Sequence, residues 1–322
     1  MFFKKYKLAQ KSLFIHIPKT AGTSFRSAIS MHGVYSDYGI NSKSTNFEIK
    51  RLIYEHNDFY QYKCNFLNSR QQWLCGHVPL VKYIDFVSVR NIFTFLRNPV
   101  SHLLSHYNHF VNHKGYEGDL DSFILSRNDV NIQTIYLNYL PLPLIGCVGI
   151  TEYYADSIDL INKCNNLKLS VDRENVNVSK KLTESNISSE DIVKYTQLLN
   201  RDIEYYQQAL SLFLQRKEYF KNGKEWVYAY AVVNNHSITG CAYFNRSDEY
   251  VVLDLIRNGK SIAKLNANSY FSSFPKAVFP RSRYIGFTYP LENSSSEDIF
   301  DIIVVSTGQK INLEPLKLLS HN

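Results

Sequence analysis

The sequence predicts an α/β fold, in which helices flank a parallel sheet, followed by a smaller all-β sandwich. Two short apolar runs, at residues 13–17 and 91–96, each lead into a helical pattern, as buried parallel strands do. After residue 226, six strand-like segments alternate with turn signals, which is typical of a sandwich. The 322 residues are enough for two domains, and we place them at 1–222 and 223–322.

The first apolar run ends in a loop of small and polar residues that opens a helix. Free N–H groups and the helix dipole at such a junction favour a bound phosphate or sulfate. The order of residues differs from a Walker A loop, because Lys19 precedes Gly22 instead of following it. The candidate anion-binding residues are Lys19, Thr20, Ala21, Gly22, Thr23 and Ser24.

A second strand–helix junction supplies a cation. The run 91–96 ends at Arg97, and Pro99 suits the first helical turn, where its missing N–H has no partner to lose. Ligands of open α/β sheets bind beyond the carboxyl ends of the strands, where a guanidinium can clamp a phosphate. Ser105 lies about two turns into the predicted helix.

Together these segments resemble the sulfotransferases that use 3′-phosphoadenosine 5′-phosphosulfate (PAPS), over about residues 12–215. The loop at Lys19 resembles their 5′-phosphosulfate loop and is most similar to the carbohydrate branch that includes the hexuronyl 2-O-sulfotransferases. Arg97 and Ser105 match the family's 3′-phosphate residues in type and spacing. The resemblance implies a P-loop-like sheet, PAPS as the co-substrate, no metal, and Lys19 stabilising the leaving phosphate.

The resemblance also implies a catalytic base. The 2-O-sulfotransferases carry a His-Gly-His stretch at this point in the chain order, and its second His is the proposed base. His77 aligns with that residue, whereas Cys75 stands in place of the first His. Imidazole suits the removal of a proton from an acceptor hydroxyl. The fallback base is a carboxylate or another His, and Glu152 is one candidate.

A late basic segment, residues 175–183, resembles the loop that closes over the nucleotide in this family. It implies contacts to the 3′-phosphate from Ser179, Lys180 and Lys181, and a solvated basic loop is the alternative. Farther from the motifs, we predict a helix over 48–60 and another over 188–220, with a break near Asn200.

Four histidines form a stripe along the helix after Pro99. One straight helix cannot wrap four ligands around one ion, so we expect no metal site and a stripe that faces an anionic groove or solvent. The stripe consists of His102, His106, His109 and His113.

Composition and charge limit the ligands that the protein can be expected to bind and the cellular compartment in which it is expected. The net charge of +7 lies mostly before residue 222, with 26 basic and 20 acidic residues against 10 and 9 after it. This charge suits an anionic nucleotide and an acidic saccharide, and no nucleic-acid motif accompanies it. Five scattered cysteines form no disulfide framework, and we find no signal peptide or membrane span. We therefore expect a cytoplasmic, bacterial enzyme.

The predicted function is sulfuryl transfer from PAPS to a saccharide hydroxyl, on a bacterial surface glycan, with a tyrosine or a small molecule as the alternative acceptor. A non-catalytic glycan-binding protein of the same fold stays open as an alternative, and the position of Lys19 disfavours a nucleotide or sugar kinase. The C-terminal sandwich resembles small domains appended to bacterial glycan-modifying enzymes. Its candidate roles are acceptor binding, homo-oligomerisation and spacing.

Overall fold

The computed structural model describes residues 11–171, 182–234, 236–291 and 298–315. The chain forms two compact units. The first unit comprises Met1–Val87, Asn91–Tyr139 and Cys147–Phe213, and the second comprises Ser88–Arg90, Leu140–Gly146 and Leu214–Asn322. Our division into domains at residue 222 is kept as a proposal.

A parallel sheet of five strands forms the centre of the first unit. The strands are β1 Ser12–Ile15, β2 Val34–Asp37, β3 Trp73–Gly76, β4 Ile92–Leu96 and β5 Cys147–Ile150. Their spatial order is β2-β3-β1-β4-β5, so β1 lies between β3 and β4. All residues of these three strands are buried, as in sheets that are covered on both faces. The predicted α/β fold is thereby confirmed.

Helices follow these strands. They are α1 Gly22–Ile29, α2 Phe47–Ile49, α3 Phe59–Asn68, α4 Pro99–His113, α5 Leu120–Leu125, α6 Ile132–Leu137, α7 Tyr154–Asn165, α8 Ser189–Leu198 and α9 Asn200–Lys221. The break predicted near Asn200 is confirmed. The single helix predicted over 48–60 is wrong, because α2 continues as a π-helix, Lys50–Glu55, and the chain turns at Asn57 with φ of 52°.

An aromatic cluster fixes β1 against α1 and therefore fixes the loop between them. Phe14 and Phe25 meet edge to face with ring centroids 4.6 Å apart, and Phe25 lies 5.8 Å from Trp73. All three rings are buried. Truncation of a buried Phe costs about 3–5 kcal/mol, so this cluster is a large part of the local stability.

The second unit is the predicted sandwich. Its strands are β6 Val227–Val233, β7 Ser237–Phe244, β8 Val251–Arg257, β9 Lys260–Ala267, β10 Ser269–Tyr270, β11 Tyr284–Pro290, β12 Phe300–Val304, β13 Lys310–Ile311 and β14 Leu313–Pro315. The sheets have the orders β10-β11-β7-β6-β14 and β13-β12-β8-β9. Both contribute to one apolar core, for example Ala231 from the first and Leu253 from the second. The sheets therefore pack face to face.

One edge of β6 is closed by residues far along the chain. β14 pairs with β6 in parallel, with Leu313 opposite Ala231. The side-chain amide of Gln309 extends this ladder, since it accepts from the Val227 N–H at 2.9 Å and donates to the Val227 carbonyl at 2.7 Å. Among the described residues, no helix is both long and apolar enough to cross a bilayer.

Candidate active site

The predicted site residues collect at the carboxyl edge of the parallel sheet. Lys19 follows β1, His77 follows β3 and Arg97 follows β4. Because β1 pairs in parallel with both β3 and β4, the three loops emerge side by side. The sheet thus brings together residues that are separated by up to 78 positions in sequence.

The loop between β1 and α1 has the backbone geometry of an anion nest. Lys19 and Ala21 are left-handed, with φ of 68° and 65°, although neither is a glycine. Such a conformation costs about 1–2 kcal/mol per residue. Within the described part of the chain, the N–H groups of residues 19–22 donate to no backbone carbonyl. Successive free N–H groups beside left-handed residues form a concavity that binds anions.

The three hydroxyl side chains of this loop differ in their exposure to solvent. The Thr20 side chain is fully buried, and its Oγ1 donates to the carbonyl of Ile17 at 2.9 Å. What Thr20 can offer an anion is therefore its N–H. Ser24 is also buried, whereas Thr23 is exposed at the start of α1.

Two cations stand next to each other above the loop. Arg97 Nη1 donates to the Lys19 carbonyl at 3.2 Å. Burial, and then the Arg97 charge, lower the pKa of Lys19. Burial also lowers the pKa of Arg97, against the opposing effect of Glu152 and Glu184. Neither cation forms an ion pair with a carboxylate within the described ranges, so an anionic ligand would relieve their mutual repulsion.

The backbone of Arg97 is held by a buried amide. Gln133 accepts from the Arg97 N–H at 2.8 Å and donates to the Arg97 carbonyl at 2.9 Å. Asp202, which is fully buried, accepts in turn from the N–H groups of Gln133 and Thr134 at 3.1 and 2.7 Å. Gln133 was not among the predicted site residues, and Asp202 acts through it as a structural anchor.

His77 projects from the end of β3 with one side open to solvent. The backbone N–H of His77 donates to the Asp37 carbonyl at the end of β2, at 3.0 Å. Its ring meets the rings of His16 and Tyr38 edge to face, with centroids 4.5 and 4.6 Å apart. The atoms packed around its inner side, and then the Arg26 charge, lower the pKa of His77 to about 4. The imidazole is therefore neutral at physiological pH and able to accept a proton.

His16 is a site residue that the sequence analysis missed. It is 6% exposed, and its Nδ1 lies 2.9 Å from the Tyr38 hydroxyl. A methyl group at Gly22 would lie only 2.0 Å from His16 Cδ2, so the ring fills the space beside the nest and touches His77 on its other side. The available signal was a polar residue inside a buried apolar run.

Cys75 does not supply the missing imidazole chemistry. Its sulfur lies 3.4 Å from the Tyr38 hydroxyl, and burial raises the pKa of the thiol to about 12. The group therefore stays protonated and packs as part of the core. In this site the second imidazole beside His77 comes from His16, which directly follows the neighbouring strand β1.

The histidine stripe of α4 is tied to the loop at its first member. His102 is buried, and its Nε2–H donates to the Pro18 carbonyl at 2.7 Å. Burial lowers the pKa of His102 to about 4 and that of His106 to about 3. The expectation that the stripe faces a groove or solvent is wrong for His102. In the described ranges, His, Cys, Asp and Glu form no metal-binding group of three or more.

The remaining predicted residues take different places. Ser105 lies on α4, on the helix that Arg97 precedes, and is partly exposed. Glu152 Oε1 accepts from the Asn98 N–H at 2.8 Å, at the start of α4, and Oε2 accepts from the hydroxyl of Tyr206 on α9 at 3.1 Å, so both of its oxygens have structural partners. Ser179, Lys180 and Lys181 lie outside the described residues.

A family model described as "Sulfotransferase family" matches residues 5–229. A crystal structure of a sulfotransferase from Alicyclobacillus acidocaldarius is similar, with 16% identity and a TM-score of 0.36. That similarity covers 64% of this chain and 96% of the other. The search of curated proteins found no match.

Proposed function

Because this chain belongs to the sulfotransferase family, we propose that it transfers a sulfuryl group from PAPS to a saccharide hydroxyl. The observation that carries this proposal is the pair of cations, Lys19 and Arg97, which stand without carboxylate partners in the described residues beside an anion nest. A ligand with two separate anionic groups suits this pair better than a single ion does.

The residues present fit such a donor. The free N–H groups of the nest and the Lys19 ammonium suit a 5′-phosphosulfate. Arg97 and Ser105 suit the 3′-phosphate, and we assign the same role to Ser179, Lys180 and Lys181. The buried Gln133 and Asp202 hold the backbone of Arg97, and the Lys19 carbonyl holds its guanidinium, before any ligand arrives, which lowers the ordering cost of binding.

The proposed mechanism divides the work between two groups. Bound PAPS supplies the sulfuryl group and a bisphosphate leaving group. Lys19 and the nest N–H groups stabilise the negative charge on the leaving phosphate oxygen as its bond to sulfur breaks. His77 accepts the proton of the acceptor hydroxyl as the new sulfur–oxygen bond forms. His16, wedged between Gly22 and His77, keeps the base next to the loop.

The acceptor and the setting are further parts of the proposal. The resemblance of the loop at Lys19 to the carbohydrate branch supports a saccharide acceptor, and we infer a bacterial surface glycan. A cytoplasmic location and a homo-oligomer formed through the sandwich stay predictions.

Binding of the two candidate nucleotides tests the donor. We expect 3′-phosphoadenosine 5′-phosphate to raise the melting temperature of the protein and to bind in calorimetry, whereas ATP with Mg²⁺ does neither. A clear shift with ATP and Mg²⁺, and none with the bisphosphate, would contradict the proposal. Transfer from labelled PAPS to a panel of bacterial capsular and lipopolysaccharide glycans then tests the acceptor class.

The pH profile of transfer tests the base. His77→Ala should lower kcat by about 10²–10⁴, the usual contribution of a general base. Because the pKa of His77 is about 4, kcat/KM of the native enzyme should fall only below about pH 4–5, instead of near the ordinary pKa of 6.5. His113→Ala, which removes an exposed imidazole of α4, is the control and should leave the rate unchanged. A native rate in His77→Ala would assign the base elsewhere.

A further inference from the structure

The second unit carries a surface patch that the sulfuryl-transfer chemistry does not use. Its members, which we call the tyrosine–arginine patch, are Tyr250, Tyr270, Arg281, Arg283 and Tyr284. The three tyrosines are 45%, 59% and 53% exposed, respectively. Tyr270 and Tyr284 are cross-strand partners on β10 and β11, with ring centroids 5.8 Å apart. Large aromatic side chains grouped on a surface are typical of binding sites.

The two arginines connect the rings. Arg281 Cζ lies 5.9 Å from the centre of the Tyr250 ring, and Arg283 Cζ lies 5.9 Å from that of Tyr270. Backbone carbonyls fix both side chains. Arg281 donates from Nε to the Tyr284 carbonyl at 3.0 Å and from Nη1 to that of Asp248, and within the described residues its Nη2 has no partner. All three guanidinium nitrogens of Arg283 donate to backbone carbonyls, those of Phe271, Ser273, Phe274 and Ala277. The patch is therefore preorganised.

The charge of these arginines is not compensated by carboxylates. Carbonyl partners are neutral, and within the described ranges neither guanidinium forms an ion pair. Asp248, whose carbonyl accepts from Arg281, directs its carboxylate to Arg90 at 3.2 Å. From residue 255 to residue 291 the sequence has six Lys and Arg and no Asp or Glu. The patch therefore presents positive charge beside aromatic faces.

The backbone beneath the patch is strained. Arg281, Ser282 and Arg283 are consecutive left-handed residues with φ of 52°, 50° and 73°. Each costs about 1–2 kcal/mol relative to glycine, which adopts this conformation freely. Strain that persists at non-glycine positions is common at binding sites, where it holds side chains in a defined direction. Here it holds two arginines at the surface.

We propose that the tyrosine–arginine patch binds an acidic saccharide, with sugar rings against the tyrosines and a carboxylate or sulfate group at Nη2 of Arg281, while Arg283 adds positive charge from its fixed position. The apolar C–H faces of sugar rings pack on aromatic rings, and guanidinium recognises carboxylate and sulfate. This inference takes the saccharide class from the proposed function and adds the acidic groups and a second contact surface.

Charge argues against the other occupants. A second copy of this chain docked through the same patch would bring like charges together. Nucleic acid needs a more extended basic surface, whereas the chain after residue 222 has 10 basic and 9 acidic residues. A short acidic glycan suits one anion contact at Arg281 beside exposed tyrosine rings.

The test is calorimetry on the full chain with hexasaccharides of oligogalacturonate, hyaluronan, chondroitin sulfate and heparin, and with maltohexaose as the neutral probe. At least one acidic hexamer should bind more tightly than maltohexaose. Arg281→Gly removes the cation and relieves the strained φ, so the protein should stay folded while binding weakens about tenfold. The double variant Tyr270→Ala/Tyr284→Ala should weaken binding by at least as much.

Two controls make the result specific. Tyr60→Ala and Lys260→Ala remove an exposed tyrosine and an exposed lysine outside the patch, and should bind glycans as the native protein does. All variants should bind 3′-phosphoadenosine 5′-phosphate equally, because the donor site is untouched. Binding to none of the acidic hexamers, native affinity in Arg281→Gly, or tighter binding of a single-stranded DNA hexamer would overturn the inference. Failure of the nucleotide to bind would instead overturn the proposed function.

Discussion

Replacement of Lys19 with glycine is expected to lower kcat for sulfuryl transfer by about 10²–10³, the usual cost of losing one group that stabilises developing charge. Glycine is the informative substitution because Lys19 is left-handed, with φ of 68°. It removes the ammonium and relieves the strain, so the protein should be as stable as the native one or more stable by up to about 1 kcal/mol. Single-turnover kinetics with labelled PAPS and a thermal melt measure the two effects.

Lys43→Ala is the matched control, since Lys43 is an exposed lysine in a turn before α2. It should change neither rate nor stability. Native kcat in Lys19→Gly would show that the ammonium does not act on the leaving group. Loss of rate together with a large loss of stability would mean that the loop, and not the charge, had been damaged.

Gly22→Ala is expected to displace the nest and the base together. The added methyl would lie 2.0 Å from His16 Cδ2 and 2.3 Å from His16 Nε2, so the buried ring must move. Overpacking of this kind costs about 1–3 kcal/mol of stability. Because His16 contacts His77 at 4.5 Å between ring centroids, we also expect at least tenfold weaker binding of 3′-phosphoadenosine 5′-phosphate and slower transfer.

The neighbouring substitution Ala21→Gly is the control, since Ala21 has a left-handed φ of 65° that glycine adopts freely. It should keep nucleotide binding and stability. A double-mutant cycle locates the cause of the Gly22→Ala effect. In a His16→Ala background the clash is absent, so Gly22→Ala should cost little further stability. A full additional loss there would place the strain on another partner.

Much of the fold could be predicted from local pattern. The apolar runs at β1 and β4, and the alternation of strands and turns after residue 226, each reflect burial that one segment can encode alone. The helix predicted over 48–60 is wrong for the opposite reason. Its π-helical stretch ends at Glu55 and the chain turns at Asn57, whose positive φ is compatible with asparagine but is not required by it.

Some features of the candidate site could likewise be predicted from the sequence, and others could not. Lys19 and Arg97 could be predicted because they follow strand-like runs and match family motifs, and His77 because it matches a family motif. The strain at Lys19 and Ala21 could not, because neither residue type favours a left-handed conformation. The contact of His16 with His77 depends on the register of β1 against β3, with Ile15 opposite Gly76, and no single segment encodes that register.

The closure of β6 has a consequence for the time course of synthesis. The backbone N–H and carbonyl of Val227 on that edge bond to the Gln309 side chain, which is synthesised 82 residues later. At about 5–20 residues per second the ribosome needs about 4–16 s to make that stretch. β7 can pair with the other side of β6 early, but the apolar strand Val227–Val233 keeps one unpaired edge throughout this interval. Nascent chains on one messenger are therefore open to pairing with each other for seconds before β14 can compete.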